Sequence, residues 1–297
     1  MRADLNRRDF LKIMGLGAAA GITTVSCSNP AADVRGDKWR MKLSTSSIHF
    51  MQLPIEQACE QIAGLGYEAV DIWSAHDRCP HLDDVKERLG AEGLRQVLVS
   101  NKLELCAFSV YKGGYEHYAE LLGAIGGGVA VRGSARKCEP HELTARMREF
   151  FETLKPLVEL AEKYNSYLAI ENHGGALLNS LDSFKAFVEL NTSPRVGIAL
   201  APYHLQTIKA SVSEAVRISG GRLFFFYAWQ HYPDSQQLPG IGPTDMKSWI
   251  RALADIRYSR YVNPFMHGHP ETEVMTANLA RSRNYLKRCY EKAVGTA

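Results

Sequence analysis

Paired cysteines, basic runs and membrane-length apolar stretches are all scarce in this chain of 297 residues. Its six cysteines stand at irregular spacings with no C-x-x-C pair, so neither a disulfide framework nor a structural zinc site can be read from them. Cys59, Cys106 and Cys289 sit in apolar patterns and read as small core residues. Beyond the first dozen residues there is no Lys/Arg run, and 35 basic against 32 acidic residues leave a net charge of only +3. Nucleic acid and an anionic membrane surface are therefore poor partners, and a small neutral substrate suits better. No Gly-rich loop followed by Lys is present to cradle a phosphate. Internal repeats and low-complexity tracts are also lacking. What is there, 45% hydrophobic and 23% charged residues, is an ordinary globular composition that excludes disordered, collagen-like and coiled-coil chains. The length is about twice that of a usual domain, yet one closed α/β barrel takes roughly 250 residues.

The N-terminus reads as an address. Asn6-Arg7-Arg8-Asp9-Phe10-Leu11-Lys12 followed by an apolar run over 13–25 resembles a twin-arginine export signal, with Asn6 where Ser or Thr is commoner. Thirteen apolar residues at about 1.5 Å each fall short of the roughly 30 Å hydrocarbon core of a bilayer, which argues against a permanent membrane helix. The run ends in Thr24-Val25-Ser26-Cys27, which looks like a lipoprotein processing site that would leave Cys27 acylated. Thr24 departs from the usual Leu, so simple cleavage and release is the alternative. The expected organisation is a signal over 1–27, a linker over 28–40 and a folded domain over 41–297. Such a mature protein is periplasmic, meets the membrane only through a lipid anchor, and carries 31 basic and 30 acidic residues. The route carries proteins already folded, which hints at a preloaded site.

From residue 41 onward, short apolar runs precede longer amphipathic stretches, the pattern of parallel βα units. Strands are expected over 41–47, 69–73, 103–110, 129–132, 167–171, 196–200, 223–229 and 261–266. Helices are expected over 54–63, 85–101, 115–124, 142–163, 181–190, 212–218, 244–256 and 273–292. Ser180 marks one helix start, and Gly64, Gly66, Gly220 and Gly221 mark helix ends. The strands are nearly continuous apolar runs, as both-face burial requires. Eight strands close a barrel, so the expected fold is a single-domain (β/α)8 TIM barrel, with a doubly wound open sheet as the alternative.

In such barrels chemistry gathers at the C-terminal strand ends. Polar residues are plentiful there: His49 after the first strand, Asp71 and Trp73 in the second, Arg132 in the fourth and Glu171-Asn172-His173 at the fifth. Tyr203-His204 follow the sixth, Gln230-His231 the seventh, and His267 and His269 the eighth. Six of the ten histidines fall on this one rim together with a carboxylate. Imidazoles plus a carboxylate oxygen suit Zn, Mn, Co or Fe in a site open to substrate.

Leu168-Ala169-Ile170-Glu171-Asn172-His173, Gly197-Ile198-Ala199-Leu200-Ala201-Pro202-Tyr203-His204 and Asp71-Ile72-Trp73 resemble the xylose-isomerase-like barrels of the sugar phosphate isomerase/epimerase superfamily, over about residues 41–292. Leu238-Pro239-Gly240-Ile241-Gly242-Pro243-Thr244-Asp245 adds a further echo. The resemblance implies a divalent cation held by Glu, Asp, His and Glu from the fifth to eighth strands, polarising a sugar carbonyl while carboxylates move the neighbouring proton. Glu171 matches the first ligand. Ala201 stands in place of the Asp, the seventh-strand residue is His231 or Gln230, and Phe265-Met266-His267 occupy the place of the last Glu. Either the set is rebuilt, with Glu171, His204, His231 and His267 as ligands, or the metal is lost and the barrel only binds sugar.

The base for proton abstraction beside a carbonyl is then Glu171, Asp71 or an unligated histidine such as His173. His49, Trp73, Arg132, Tyr203 and Gln230 are the expected substrate contacts, with Trp73 and Tyr203 as stacking walls. An exported protein points away from sugar phosphates and toward an unphosphorylated keto sugar or glycoside. Isomerase, epimerase and 3-keto-glycoside lyase share this first step, and the residues do not separate them.

Overall fold

Short runs of apolar, often β-branched or aromatic residues form the strands, each bounded by Gly, Pro or polar residues. A computed structural model describes residues 39–74 and 76–295. The expected signal over 1–27, the acylated Cys27 and nearly all of the linker lie outside the described residues. The strands are β1 Lys42–Ser46, β2 Ala69–Trp73, β3 Glu104–Ser109, β4 Gly128–Gly133, β5 Ser166–Glu171, β6 Val196–Leu200, β7 Leu223–Ala228 and β8 Tyr261–Pro264. They pair in parallel in chain order, and β8 returns to β1, so the sheet is a closed barrel of eight strands. The expected (β/α)8 TIM barrel is the observed fold, and the open sheet is not.

Around it lie α1 Ile55–Gly64, α2 His81–Asp84, α3 Gly90–Asn101, α4 Gly114–Ile125, α5 Leu143–Lys163, α6 Leu181–Leu190, α7 Pro202–Thr207, α8 Val212–Ser219, α9 Lys247–Asp255 and α10 Thr272–Val294. Two differ from expectation. The helix expected over 85–101 begins earlier, at His81, and passes through a wider π-type turn at Val85–Leu89 before Gly90, whose φ of 63° breaks the regular ladder. The short helix α7 is not among the expected helices. Pro202 at its first turn needs no amide partner, and the helix carries Tyr203 and His204 onto the rim.

Strand alternation divides two cores. Val70, Ile72, Phe108, Ala130, Leu168, Ile170, Ile198, Leu200, Phe226 and Val262 face the helices. Ala107, Val129, Val131, Ala169, Ala199, Phe225 and Tyr227 fill the barrel interior. Small residues stand inside on β3, β5 and β6, and large aromatics on β7 and just after β8. The register slips between Val70 and Asp71 against β3 and between Ile198 and Ala199 against β7. Such bulges re-aim side chains near functional sites, and the first occurs at the carboxylate of β2.

Candidate active site

Two carboxylates point into the barrel. Asp71 is fully buried and accepts from Ser46 Oγ at 2.8 Å, from Ser109 Oγ at 2.9 and 3.1 Å, and from the Trp73 indole at 2.6 Å. Burial pushes its pKa up to about 7, against the pull of the Ser46, Ser109 and Trp73 donors. Glu171, the last residue of β5, keeps some exposure at the mouth. Desolvation raises its pKa to about 7 as well, and the Asp71 charge adds to the rise while the Tyr111 hydroxyl opposes it.

A chain of hydroxyls joins the two. Tyr111 donates to Glu171 Oε2 at 2.8 Å and lies 3.3 Å from the Tyr227 hydroxyl, which in turn meets Ser109. Burial holds both phenols well above their ordinary pKa, so each stays protonated at neutral pH. Below them, Ser44, Asn263 and Ser46 continue the network at 2.9 Å per step. Tyr111 follows the third strand on the polar rim that the sequence marks, whereas Tyr227, Ser46 and Ser109 were not singled out from the sequence. The available signal was period-two placement: Tyr227 shares a face with Phe225, and a serine inside an apolar strand marks a polar partner within.

Aromatic rings wall the site. Trp73 lies flat on Phe265 at 5.1 Å and 12°, and Tyr203 lies flat on Trp229 at 4.3 Å and 17°. Gln237, also missed in the sequence, fixes this wall: its Oε1 accepts from the Trp229 indole at 2.7 Å and from the His267 amide at 3.0 Å.

The structure separates the remaining sequence-derived candidates. His49 is enclosed, with Nδ1 on Thr45 Oγ1 at 3.0 Å and Nε2 accepting from the Met266 amide at 3.3 Å. Desolvation, with the His269 and His267 charges, drops its pKa to about 3, so it is a neutral brace within the wall. Gln230 is fully buried, donates to the Leu238 carbonyl at 2.9 Å and accepts from the Thr244 amide at 2.8 Å, so it holds a loop. Arg132 sits opposite Ile170, a helix-facing residue, and feels Glu116 of α4, which points it into the outer layer and away from the mouth. His173 is exposed at the rim, its ring 4.1 Å from that of His204. Trp73 is buried within the aromatic wall, and Tyr203 is partly exposed at its edge.

The expected ligand set of Glu171, His204, His231 and His267 is not drawn together. Among the described residues no group of three or more His, Cys, Asp or Glu side chains is placed to hold a metal ion. The reason lies in the aromatic wall. His204 and His267 each meet Trp229 edge-on, at 5.2 and 5.1 Å, and His231 meets Tyr203 at 4.8 Å. Glu171 faces Tyr111 instead. Ala201 is clasped through its backbone by Asn172 at 2.7 and 3.1 Å, and its methyl offers no electron pair. Phe265 fills the β8 position with a ring. Desolvation, helped by the His173, His267 and His231 charges, drops the His204 pKa to about 3. His267 and His269 lie 3.8 and 3.7 Å from Asp77, which ties the loop after β2 to the loop after β8.

Comparison with known proteins places this geometry. The sequence profile described as a xylose isomerase-like TIM barrel matches residues 59–289. Among solved structures, D-psicose 3-epimerase of Clostridium cellulolyticum H10 with D-tagatose is similar at a TM-score of 0.68 and 14% identity, covering 84% of this chain and 99% of that one. The apo 3-keto-D-glucoside 4-epimerase of E. coli gives a TM-score of 0.64 and 16% identity over 82% and 100% of the two chains. The IolI protein with a bound zinc atom gives 0.65 and 17% over 86% and 100%. No curated protein matches.

Proposed function

The chain belongs to the xylose isomerase-like TIM barrel family, and on that premise we propose that it is a carbohydrate-active enzyme that removes a proton from the carbon beside a carbonyl of an unphosphorylated keto sugar or glycoside. One observation carries the reading: a mouth-facing carboxylate, Glu171, whose pKa is lifted to about 7 and which is oriented by a phenol. A base poised near neutral pH is what carbon-proton abstraction needs. The similar solved structures named as sugar epimerases support the substrate class.

Of the three candidate bases, Glu171 fits. Asp71 is sealed in and its lone pairs are taken by three neighbouring side chains. His173 stands outside the bowl. Tyr111 donates to Oε2 of Glu171, and the residue keeps part of its surface exposed. Tyr111 and Tyr227, held protonated, fix the base in place: the Tyr111 proton goes to Glu171 Oε2 and the Tyr227 hydroxyl bonds to Tyr111 behind it. Asp71 sets the field beneath them. Tyr203, the partly exposed ring, offers an apolar face to the C–H side of a sugar ring, and the buried Trp73, Phe265 and Trp229 back it and exclude water. A divalent ion at the family's positions would supply a Lewis acid, but a methyl and a phenyl ring stand at two of them, so no step is assigned to it.

Export by the twin-arginine route with a lipid at Cys27 is part of the proposal. Arg7-Arg8 and Ser26-Cys27 support it, and it is consistent with the unphosphorylated substrate.

The test is solvent-deuterium exchange into 3-keto-glucose and its methyl glycoside, followed by NMR. Exchange catalysed by the wild type and lowered by about 10²-fold or more in Glu171→Gln is the expected result. Binding without exchange in the wild type would overturn it in favour of a sugar-binding barrel, the reading that Ala201 and Phe265 favour.

A further inference from the structure

The aromatic wall continues past the carboxylate floor. Phe265, stacked on Trp73, meets Trp229 edge-on at 5.2 Å, and Trp229 is covered by Tyr203. Tyr203 also bounds a separate cleft of about 680 Å³, whose remaining walls are Gln206, His231, Tyr232 and Pro233. Because Glu171 pairs with Ala199 in the β5–β6 register, and Tyr203 lies just beyond the end of β6, the cleft adjoins the reacting end of the site.

The cleft is preformed. Gln206 accepts from the His231 amide at 2.8 Å and donates to Thr244 Oγ1 at 3.2 Å, which fixes the loop after β7 against α7. Among the described residues its lining holds no Lys, Arg, Asp or Glu to pair with a phosphate or carboxylate. Tyr232 nevertheless leaves 41% of its surface in water beside the partly exposed Tyr203. Two phenol rings around a neutral cleft of this size fit a flat, uncharged, hydroxyl-edged ring: apolar C–H groups against the ring faces, hydroxyls toward the imidazole and solvent.

We propose that this cleft is a second sugar subsite, and that the substrate is a glycoside whose aglycone is itself a pyranose. The reacting ring lies over Glu171 and the second ring lies between Tyr203 and Tyr232. The assignment of the first ring rests on the proton-abstraction reading; the existence of the second subsite does not.

The experiment is titration calorimetry of the full chain with cellobiose and with D-glucose, on the wild type, Glu171→Gln, Tyr232→Ala and Tyr232→Phe, alongside the deuterium-exchange assay. Cellobiose is expected to bind about tenfold or more tighter than glucose. The ratio should persist in Glu171→Gln and in Tyr232→Phe, which keeps the ring, and fall toward one in Tyr232→Ala. Equal affinities in the wild type, no measurable binding of either sugar, or an undiminished ratio in folded Tyr232→Ala would each overturn the subsite. Should Tyr232→Ala not fold, the wild-type ratio together with transfer of cellobiose signal to the Tyr232 ring in NMR decides the matter. A preserved ratio with no proton exchange would sink the Glu171 chemistry and leave the subsite standing. Exchange without the ratio would do the reverse.

Discussion

Burial and hydroxyl donors act in opposite senses on the two interior carboxyls, and at both Asp71 and Glu171 burial wins, setting each near pH 7. For Glu171 as base, the active form is the carboxylate, so the exchange rate should climb with pH through about 7 and level above it; a flat pH–rate profile would count against the assignment. The stability consequence has the opposite slope. A carboxyl raised in the folded state binds protons that the unfolded chain has already released, so its contribution is fully present below about pH 4 and is lost as pH rises through about 7. Urea unfolding should therefore show stability falling by up to about 3 kcal/mol for each of the two carboxyls from about pH 5 to about pH 8, at about 1.4 kcal/mol per unit per group, and Asp71→Asn should remove about half of that fall. The same residue-level logic bears on metal. With a methyl at Ala201 and a phenyl ring at Phe265, we expect exchange activity to survive extended dialysis against EDTA, and a loss restored by Zn or Mn would refute this. Strand ends located the rim in the sequence, but they could not say which way each side chain turns. Arg132 lies between interior Val131 and Gly133, so alternation already placed it outward. The histidines followed no such rule, because they sit on loops and on the first turn of α7, where no period applies.

At the scale of elements the sequence was far more legible. Strands β2 and β6 run over the expected residues, and the other six differ by a few residues at their ends. Buried parallel strands are short and unbroken in their apolar character, and loops interrupt them sharply. Helix α6 starts at Ser180, whose side chain accepts from the Ser183 amide at 3.3 Å while Ser183 Oγ returns a bond at 2.9 Å, so that boundary is fixed by local chemistry. The break at Gly90 and the start of α7 at Pro202 each carry a local mark, a glycine and a proline, but neither residue alone fixes the outcome. One connection is tightly specified. Gly127, between α4 and β4, has φ of 88°, and a Cβ there would overlap the Asn165 carbonyl oxygen. Gly127→Ala should cost about 2–4 kcal/mol through strain and backbone displacement, measurable as a lowered urea midpoint, whereas the open Gly133 should tolerate Ala.

Over the whole molecule, the ends of the described chain are tied together. The Trp39 indole donates to the Tyr258 carbonyl at 2.6 Å, Tyr290 of α10 donates to the Trp39 carbonyl at 2.7 Å, and the two rings meet edge-on at 5.6 Å. A chain beginning at Asp37 keeps this clasp and should unfold in one thermal transition. Trp39→Ala in that background should lower Tm by about 5 °C, from about 2 kcal/mol of lost packing and hydrogen bonding; an unchanged Tm would show that the clasp is idle. The closure that the clasp secures joins β1 to β8, and the bonds Ser44 to Asn263 and Thr45 to Pro264 each span 219 positions. During synthesis the first strand made is thus the last to find its second neighbour. Until Tyr261–Pro264 has left the ribosome, the growing sheet has an unpaired edge at β1 and another at its newest strand. A product cut short anywhere before β8 keeps both edges and remains adhesive. The finished barrel has none, so closure itself marks a complete chain.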